Sequence, residues 1–433
     1  MAADRIESLL IEAKRDLAEG LYPARMFSDP DIFALERERI FGRAWVFLGH
    51  ESEIPNPGDY VLRYIVDDQF IVTRAKDGAV RALHNSCPHR GVPVCRGDKG
   101  NAHRFSCPYH GWTFANTGDL VGVPMGADLY PEGFDKKAWG LRQLPNIDTF
   151  CGLIFGSMDP NALPLDEYLG AAKWYLQLLA GRTKRGLQVV GAPHRWVVDS
   201  NWKLPADNFV GDAYHVQMTH RSMLRGREPL FTLKGQHIQA GNGHGFGIGL
   251  PDDPDVPPYV GLPQALWADI EATLSPEQSS ILKRTIFIHG SVFPNLSVLQ
   301  SIEAKDGQSP PTSMLTFRSW QPIAANKMEI WSWCMVDSDA PPEYKKESAA
   351  AYVNTFGSGG QLEQDDAENW RSSTRAVTGQ FSQKTKFNYQ LSREKLEKSI
   401  DWPGPGDAYP QAFAEFNQIA FHKRWLAYMT GEI

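Results

Sequence analysis

Apolar side chains recur at helical spacing in the first 45 residues. One such stretch covers residues 6–21 and ends before Pro23, and a second covers residues 31–45. Residues three and four positions apart share one face of a helix, so each stretch would bury a single face. We therefore predict two N-terminal helices that pack against the rest of the protein.

The apolar pattern becomes strand-like after the second of these helices. Residues 60–66, 70–74 and 80–84 are short runs rich in β-forming side chains, and Asp77-Gly78 is a hairpin signal between the last two. Turn-forming residues continue to separate short runs until residues 152–157. This spacing predicts a small all-β domain.

A pattern of helices and longer strands begins after Asp159-Pro160. Residues 163–179 have helical spacing. Strand-like runs follow at 297–302, 314–320 and 328–336, and helical stretches follow after 357–360 and at 412–429. Residues 226–280 are rich in glycine, proline and aspartate. Because that composition is typical of a long functional or mobile loop, we predict a loop there.

Composition and charge narrow the functional classes. The chain has 433 residues, of which 42% are hydrophobic and 22% charged, and these values are typical of a globular protein. A net charge of −7 argues against a nucleic-acid surface, which needs clustered Lys and Arg. No apolar run reaches the roughly 18 residues of a membrane span, and the first residues lack the pattern of a signal peptide. Five cysteines are too few for a disulfide scaffold, so we expect a cytoplasmic protein in which paired Cys and His favour a metal site.

Two clusters combine thiols with imidazoles: Cys87-Pro88-His89 and Cys107-Pro108-Tyr109-His110. They could be ordinary buried cysteines with surface histidines, a structural zinc site, or a Rieske [2Fe–2S] centre in which two Cys hold one iron and two His hold the other. Structural zinc sites usually take paired cysteines and then paired histidines. Here each loop supplies one Cys and one His, which favours the two-iron cluster.

The residues that follow both clusters strengthen this interpretation. With Gly91 after the first cluster and Gly111-Trp112 after the second, the pattern resembles the Rieske domain of ring-hydroxylating oxygenases. The resemblance implies one [2Fe–2S] cluster per chain, and its implied ligands are Cys87, His89, Cys107 and His110.

A second group of candidate ligands contains Asp212, His215 and His220. Two His and one carboxylate leave open positions on a non-haem iron, where O₂ can bind beside a substrate. His215 and His220 are about 140° apart on an ideal helix, so both can bind one metal only if the helix is distorted or ends between them. On its own, His-x₄-His is a weak indication, and packed or exposed histidines remain the alternative.

Taken with the first clusters, the segment Asn208–His220 resembles the iron-binding signature of the same oxygenases. The resemblance implies one mononuclear Fe(II) bound by His215, His220 and a distant carboxylate. It points to Asp366 as that third ligand, with Asp365 as the alternative. We expect the nearby carboxylates Glu363 and Glu368 to lie on the surface.

The family that these signatures resemble is the large (alpha) subunit of Rieske non-haem iron aromatic-ring-hydroxylating dioxygenases. The resemblance implies an α+β fold. Residues 1–45 would be helices packing on the catalytic domain, 46–158 an all-β Rieske [2Fe–2S] domain, and 159–433 a catalytic domain with an antiparallel sheet flanked by helices. It implies a terminal oxygenase that uses O₂ and electrons from NADH to cis-dihydroxylate an aromatic hydrocarbon, polycyclic ones included.

The resemblance also implies partners and a catalytic carboxylate. Asp212 would link an iron-bound His to a Rieske His of a neighbouring subunit in a trimer. Electrons would come from a ferredoxin or an NADH-dependent reductase, since the chain lacks a nucleotide-binding Gly-rich loop after a strand. A small beta subunit would complete an α₃β₃ assembly, and a bare α₃ trimer is the alternative.

The substrate pocket should be mostly apolar. We expect it to be lined by residues that flank the predicted ligands in sequence: Asn208, Phe209, Val216, Met218, Phe356 and Leu362. Arg221, Arg225 and Arg227 could instead hold a substrate carboxylate. The alternative functions are therefore a Rieske monooxygenase or demethylase, a dioxygenase of an aromatic carboxylate, and a Rieske electron carrier without oxygenase activity.

Overall fold

The computed structural model describes residues 2–224, 234–251, 254–303 and 311–433. Its helices are α1 (Ala2–Ala18), α2 (Pro30–Glu36), α3 (Gly126–Leu129), α4 (Leu165–Leu169), α5 (Ala172–Ala180), α6 (Lys203–Gly211), α7 (Val216–Thr219), α8 (Arg221–Leu224), α9 (Trp267–Thr273), α10 (Pro276–Arg284), α11 (Pro342–Thr355), α12 (Gln361–Ala376) and α13 (Phe416–Thr430). None of the helices in these ranges has both the length and the apolar character needed to cross a membrane.

The strands of the same ranges are β1 (Leu21–Pro23), β2 (Val46–His50), β3 (Asp59–Ile65), β4 (Asp68–Arg74), β5 (Val80–His84), β6 (Lys99–Asn101), β7 (Arg104–Ser106), β8 (Thr113–Ala115), β9 (Leu120–Gly122), β10 (Asn146–Phe150), β11 (Leu153–Ser157), β12 (Leu187–Val189), β13 (His194–Val198), β14 (Gly235–Gln239), β15 (Gly245–Gly249), β16 (Phe287–Val292), β17 (Leu296–Glu303), β18 (Thr312–Ala324), β19 (Lys327–Asp337), β20 (Lys386–Asn388) and β21 (Asp407–Tyr409). These helices and strands belong to two compact units. One is Phe41–Ala162, and the other joins the residues up to Ile40 with Leu163–Ile433.

The unit Phe41–Ala162 is built from three small antiparallel sheets. Their strand orders are β5-β4-β3-β6, β7-β8-β9 and β10-β11-β2. β4 and β5 form a hairpin at Asp77-Gly78, where Gly78 adopts a φ of +82° that favours glycine. The small β domain predicted for this part of the chain is thus observed as a set of short paired strands.

The other unit has a nine-stranded sheet at its centre. The strand order is β12-β19-β18-β17-β16-β15-β14-β21, and β13 also pairs with β19. α6 packs on β15, β16 and β17, and α11 packs on β18. The predicted α+β class, with an antiparallel sheet flanked by helices, is confirmed.

Contacts between α6 and the sheet determine where α6 lies. On β16, Ser291 Oγ donates to the Ala206 carbonyl at 3.0 Å, and His289 Nδ1 lies 3.0 Å from the Phe209 carbonyl. His289 and Ser291 are two positions apart on β16, so their side chains point to the same face of the sheet. α6 therefore lies across that face of the sheet, and its carboxyl end leads directly into the segment that carries His215 and His220.

The prediction of a loop over 226–280 is wrong for the described part of that segment, which contains β14, β15, α9 and α10. Two glycines of β15, Gly247 and Gly249, are required by close packing within the sheet. A Cβ on Gly247 would lie 2.2 Å from the His289 ring, and one on Gly249 would lie 2.0 Å from the Phe287 ring. The glycine-rich composition here reflects aromatic rings that lie across a strand.

A buried ion pair ties three distant helices of this unit together. Glu36, at the end of α2, lies 2.5 Å from Lys203 Nζ and accepts hydrogen bonds from the indole N–H groups of Trp202 at 2.9 Å and Trp425 at 2.7 Å. Both charged side chains are fully buried. α2, the start of α6, and α13 are thus held at one polar point inside an apolar core.

Candidate metal centres and the apolar cavity

Two loops of the unit Phe41–Ala162 have the same backbone pattern. The Cys87 carbonyl accepts from Gly91 N at 2.7 Å, and the Cys107 carbonyl accepts from Gly111 N at 3.0 Å. Both glycines have positive φ, +76° and +70°. Each loop is therefore a tight turn that starts at a cysteine, is closed by a glycine, and carries a histidine between them.

These loops bury their thiols, leave His89 partly buried and expose His110. Cys87 and Cys107 are 2% and 3% exposed, whereas His110 is exposed. The ring centroids of His89 and His110 are 4.5 Å apart. Trp112 stacks on His89, with 5.0 Å between centroids and 8° between planes, and this holds the His89 ring in place. The structure thus brings all four predicted ligands together.

The polar atoms that face inward fit a cluster with two sulfur and two nitrogen ligands. His89 Nδ1 is buried and has no hydrogen-bond partner among the described residues. Burial lowers the pKa of His89, and the charge of His110 adds to this, so the imidazole is neutral and can bind a metal. The pKa of the Cys87 thiol is raised, chiefly by burial and also by the neighbouring Cys107. Backbone N–H groups act in the opposite direction and offset only part of this increase. This donor combination is the one a Rieske [2Fe–2S] cluster requires.

The second group of ligands lies where α6 ends. α6 stops at Gly211, and His215 and His220 flank the single turn of α7 at its two ends. Asp212 and His215 therefore do not share a helix face. Instead, Asp212 Oδ1 accepts from His215 N at 3.1 Å and so starts the next turn. The break in the helix lets two histidines five positions apart point to one place.

His215, His220 and Asp366 converge on that place. Asp366 Oδ1 lies 3.3 Å from His215 Nε2 and 3.2 Å from His220 Nε2. The three ligand atoms all lie within 4.8 Å of one another. Asp366 comes from the second turn of α12, and its side chain is only 4% exposed. Two imidazoles and one carboxylate in this arrangement fit a non-haem Fe(II).

The outer ring nitrogens have their own partners. His215 Nδ1 donates to the Asp212 carbonyl at 2.6 Å, and His220 Nδ1 lies 3.4 Å from Asp365 Oδ2. In the neutral imidazoles these contacts favour the ring proton on Nδ1, so that each Nε2 lone pair would be available to a metal on the side of Asp366. Asp365 thus contacts His220 from outside, whereas Asp366 faces both histidines from inside.

The charges at this point are complementary. Burial opposes ionisation of Asp366, but hydrogen bonds from His215 and His220 outweigh it and hold its pKa well below the usual range. Burial likewise opposes protonation of His215, and the carboxylates of Asp212 and Asp366 reverse this and raise its pKa. A divalent cation between these groups would take the place of the extra proton.

An apolar cavity opens on this carboxylate and both histidines. Five of the predicted pocket residues line it: Asn208, Phe209, Val216, Phe356 and Leu362. The prediction for Met218 is wrong, because its side chain is 73% exposed and is not among the described lining residues. Met218 lies in α7 on the side that faces solvent, although it is close in sequence to both histidines.

Sequence reasoning missed the wall that the sheet contributes. Phe287 and His289 on β16 line the cavity, as do Leu299, Ser301 and Glu303 on β17. His289 and Leu299 are opposite each other in the register of the two strands. The alternation of these residues would place them on one face, but nothing in the sequence says that α6 covers that face.

A more polar cleft of about 620 Å³ also reaches the candidate iron site. Asp212, His215 and Asp366 line it, together with Glu415 and Tyr389. The side chain of Asp212 is 31% exposed there. Of the three predicted carboxylate-binding arginines, Arg221 is exposed, and Arg225 and Arg227 lie outside the described residues.

The surface prediction for Glu363 is wrong, whereas Glu368 is 63% exposed as expected. Glu363 is 1% exposed and forms an ion pair with the buried Arg318. Burial raises the pKa of Glu363 to about 7, and the charge of Arg318 acts in the opposite direction.

Family models match both parts of the chain. The model of the Rieske [2Fe–2S] domain matches residues 44–134, and the model of the ring-hydroxylating alpha subunit (catalytic domain) matches residues 165–431.

Named relatives agree with these models. A crystal structure of naphthalene 1,2-dioxygenase from Rhodococcus sp. bound to indole is 50% identical and covers 100% of both chains with a TM-score of 0.97. The alpha subunit of a chlorobenzene dioxygenase from Cupriavidus sp. is 35% identical over 97% of this chain and 94% of the relative. The alpha subunit of an N,N-dimethyl phenylurea N-demethylase from Sphingobium sp. is 34% identical over 99% of this chain and 95% of the relative.

Proposed function

The chain belongs to the ring-hydroxylating alpha subunit family with a Rieske [2Fe–2S] domain, and from this premise we propose how its residues carry out the reaction. It is the terminal oxygenase component of an aromatic-ring dioxygenase, an oxidoreductase that adds O₂ to an aromatic ring as a cis-diol. The observation that carries the proposal is an apolar cavity that opens directly on two histidines and one carboxylate. We assign residues 46–158 to the Rieske domain, and 159–433 to the catalytic domain, on which the helices of 1–45 pack.

A Rieske cluster bound between the two cysteine loops would supply electron storage. Cys87 and Cys107 would hold one of its irons from buried positions, and His89 and His110 would hold the other. Support comes from the orphaned His89 Nδ1 and from the outward position of His110. With the thiols covered, the exposed His110 imidazole would be the ligand most accessible to an electron-transfer partner.

His215, His220 and Asp366 would hold the mononuclear iron. Bound there, Fe(II) supplies O₂ activation next to the substrate. Asp212 and Asp365 orient the two imidazoles through their Nδ1 atoms, and this keeps each Nε2 directed inward. Phe209, Leu299 and Phe356 exclude water and hold the arene beside the site.

Asp212 links the two centres. Its carboxylate is partly exposed in the cleft beside His215, so it can accept an imidazole N–H from a second copy of the chain. A head-to-tail ring of three chains would supply that imidazole from the Rieske domain of the neighbour. Because the relatives are named alpha subunits, a small beta subunit that completes α₃β₃ is part of this proposal, with a ferredoxin or an NADH-dependent reductase as electron donor.

The substrate is an unsubstituted or alkyl arene, polycyclic ones included. The lining is dominated by aromatic and aliphatic side chains, and the 50% identical relative is a naphthalene dioxygenase. An aromatic carboxylate is less well supported, because the described lining contains carboxylates and no arginine or lysine.

N-demethylation is the second candidate, since one full-length relative is an N,N-dimethyl phenylurea N-demethylase. The deciding experiment supplies the purified protein with a reductase, NADH, ¹⁸O₂ and either naphthalene or N,N-dimethyl phenylurea. We expect a cis-dihydrodiol with two labelled oxygens from naphthalene. Formaldehyde from the urea and no diol would favour the demethylase. A red-brown protein that binds no mononuclear iron and forms neither product would be an electron carrier.

A further inference from the structure

A buried arginine lies just outside the lining of the apolar cavity, where the proposed chemistry requires no cation. Arg318 on β18 and Glu363 on α12 are 0% and 1% exposed, and Arg318 Nη1 is 2.5 Å from Glu363 Oε2. Removing two charges from water is costly, and a buried pair is not by itself an indication of stability. The location of this pair relative to the cavity therefore needs a reason.

Arg318 contacts both aromatic walls of the cavity. Its guanidinium carbon is 5.1 Å from the ring centroid of Phe209 and 5.4 Å from that of Phe356. Arg318 Nη2 also donates to the Phe356 carbonyl at 2.9 Å. Phe209 comes from α6 and Phe356 from the end of α11, so one guanidinium holds two separate elements at a fixed spacing.

Glu363 extends this contact to the helix that carries Asp366. The two carboxylates are three residues apart on α12, so they are neighbours on one side of the helix. The N-cap residue of α12 is Gly360, and no side chain caps the first turn. The ion pair from Glu363 to β18 is therefore a contact that anchors this first turn.

We propose that Arg318 and Glu363 are positioning residues, which fix the first turn of α12 so that Asp366 faces His215 and His220, and which fix Phe356 against Phe209. The inference rests on the proposed function, because it takes Asp366 as a metal ligand. A planar guanidinium can hold Glu363, the Phe356 carbonyl and two aromatic rings at once, whereas a point charge such as lysine cannot.

The test measures metal affinity and folding separately. The protein is isolated with its cluster intact and the mononuclear site is stripped by a chelator, after which Co(II) is titrated by calorimetry. We expect Arg318→Gln and Glu363→Gln each to bind Co(II) about 10–100-fold more weakly than the parent. Asp366→Ala provides the baseline without a site.

Arg182 and Asp337 provide the matched control. They form an equally buried pair in the same unit, 2.6 Å apart and 2% and 0% exposed, and neither lines the cavity. Arg182→Gln should lower the Tm to a similar extent as Arg318→Gln, and should leave Co(II) affinity within about twofold of the parent because the sites do not share partners.

A parent protein that binds no Co(II) would refute the proposed metal site, whatever the variants do. If the parent binds Co(II) and both single variants bind it as tightly, the positioning role is rejected. Should the single variants fail to fold, Arg318→Met with Glu363→Met removes both charges together, a change that buried pairs often tolerate. Weak Co(II) binding by that folded double variant supports the inference, and parent-like binding overturns it.

Discussion

Two adjacent carboxylates in the first turns of α12 face opposite sides of one imidazole. Asp366 Oδ1 is 3.2 Å from His220 Nε2, and Asp365 Oδ2 is 3.4 Å from His220 Nδ1. Only Asp366 also reaches His215, at 3.3 Å. At the scale of single residues, the direction in which a side chain points therefore separates a candidate ligand from a residue that orients a ligand.

This difference can be tested by replacing each aspartate in turn. Asp366→Ala should lower the iron content from about three atoms per chain to about two, because the cluster keeps its own. Asp365→Ala should keep the third iron and weaken its binding about 10–100-fold. Metal analysis after dialysis measures both. Loss of iron in Asp365→Ala alone would exchange the two assignments.

Asp212 should be needed for electron transfer and not for metal binding. Asp212→Ala removes the carboxylate that is exposed beside His215, while the main-chain carbonyl that accepts from His215 Nδ1 remains. We expect both metal sites to stay filled and product formation to fall by about 100-fold or more. Stopped-flow oxidation of the reduced cluster in the presence of substrate and O₂ reports the step directly.

Glu368→Gln is the matched control for Asp212→Ala, because Glu368 is an exposed carboxylate on α12. It should oxidise its cluster at the parent rate. An Asp212→Ala protein with parent-like cluster oxidation would remove Asp212 from the electron path.

At the scale of single residues, the sequence predicted the candidate ligands that lie close together in a short motif. The paired Cys and His of the loops, and the spacing of His215 and His220, were readable because their ligands are local. Glu363 was misjudged because its burial depends on Arg318, which is 45 positions away along the chain and adjacent only in the fold.

At the scale of elements, the two cysteine loops differ in one respect. A Cβ on Gly111 would lie 2.8 Å from Pro124 Cγ, whereas the nearest atom to a Cβ on Gly91 would be Ser86 Oγ at 3.9 Å. Both glycines have positive φ, so the backbone cost of a side chain is similar and only the available space differs.

Gly111→Ala should therefore be more harmful than Gly91→Ala. Each change should cost about 1–2 kcal/mol for the left-handed backbone, and Gly111→Ala should add the displacement of Pro124. We expect a lower content of assembled cluster in Gly111→Ala, measured by visible absorption per chain. Equal cluster contents in the two variants would show that the contact with Pro124 carries no cost.

The nine-stranded sheet shows why elements were only partly predictable. Strands such as β18 and β19 were readable from runs rich in apolar and aromatic side chains, at 314–320 and 328–336. β15 was not, because its sequence Gly-Phe-Gly-Ile-Gly has the composition of a loop. Gly247 and Gly249 are needed because rings of β16 lie across them, and Gly245 because Asn417 of α13 does; all three contacts are long-range in the sequence.

At the scale of the whole molecule, several histidines are buried in a neutral form. The pKa values of His50, His244 and His289 are lowered to about 4, chiefly by burial. His244 illustrates the reason, because its Nε2 lies 2.9 Å from the Tyr168 carbonyl while Nδ1 accepts from Phe293 N at 3.0 Å. A second proton would have to break the latter hydrogen bond.

Acidification should therefore destabilise the protein. A folded pKa below the unfolded value of 6.5 means that unfolding takes up protons, so the stabilisation is present above pH 6.5 and is lost as the pH falls toward 4. Each such histidine contributes about 1.4 kcal/mol per pH unit in that window. Glu363 and Glu415, whose pKa values burial raises to about 7, act in the opposite direction as they take up protons.

Urea unfolding at pH 7, 6 and 5 measures the balance. Since His237 is also held neutral by burial, with its pKa lowered to about 3, the histidines outnumber the two glutamates and stability should fall with pH. His244→Gln carries no titrating ring, so its deficit relative to the parent should shrink as the pH falls. A deficit that is constant from pH 7 to 5 would contradict the assignment to His244.

The ion pair of Glu36 with Lys203 has a consequence for any attempt to shorten the chain. Trimming the protein to its family-matched portion would delete Glu36 and leave an ammonium group without a counterion among Trp202 and Trp425. Uncompensated charges of this kind are strongly destabilising. A minimal oxygenase fragment that starts after α2 should therefore be recovered as insoluble material. The same fragment with Lys203→Met, which lacks the unpaired charge, should give a higher soluble yield.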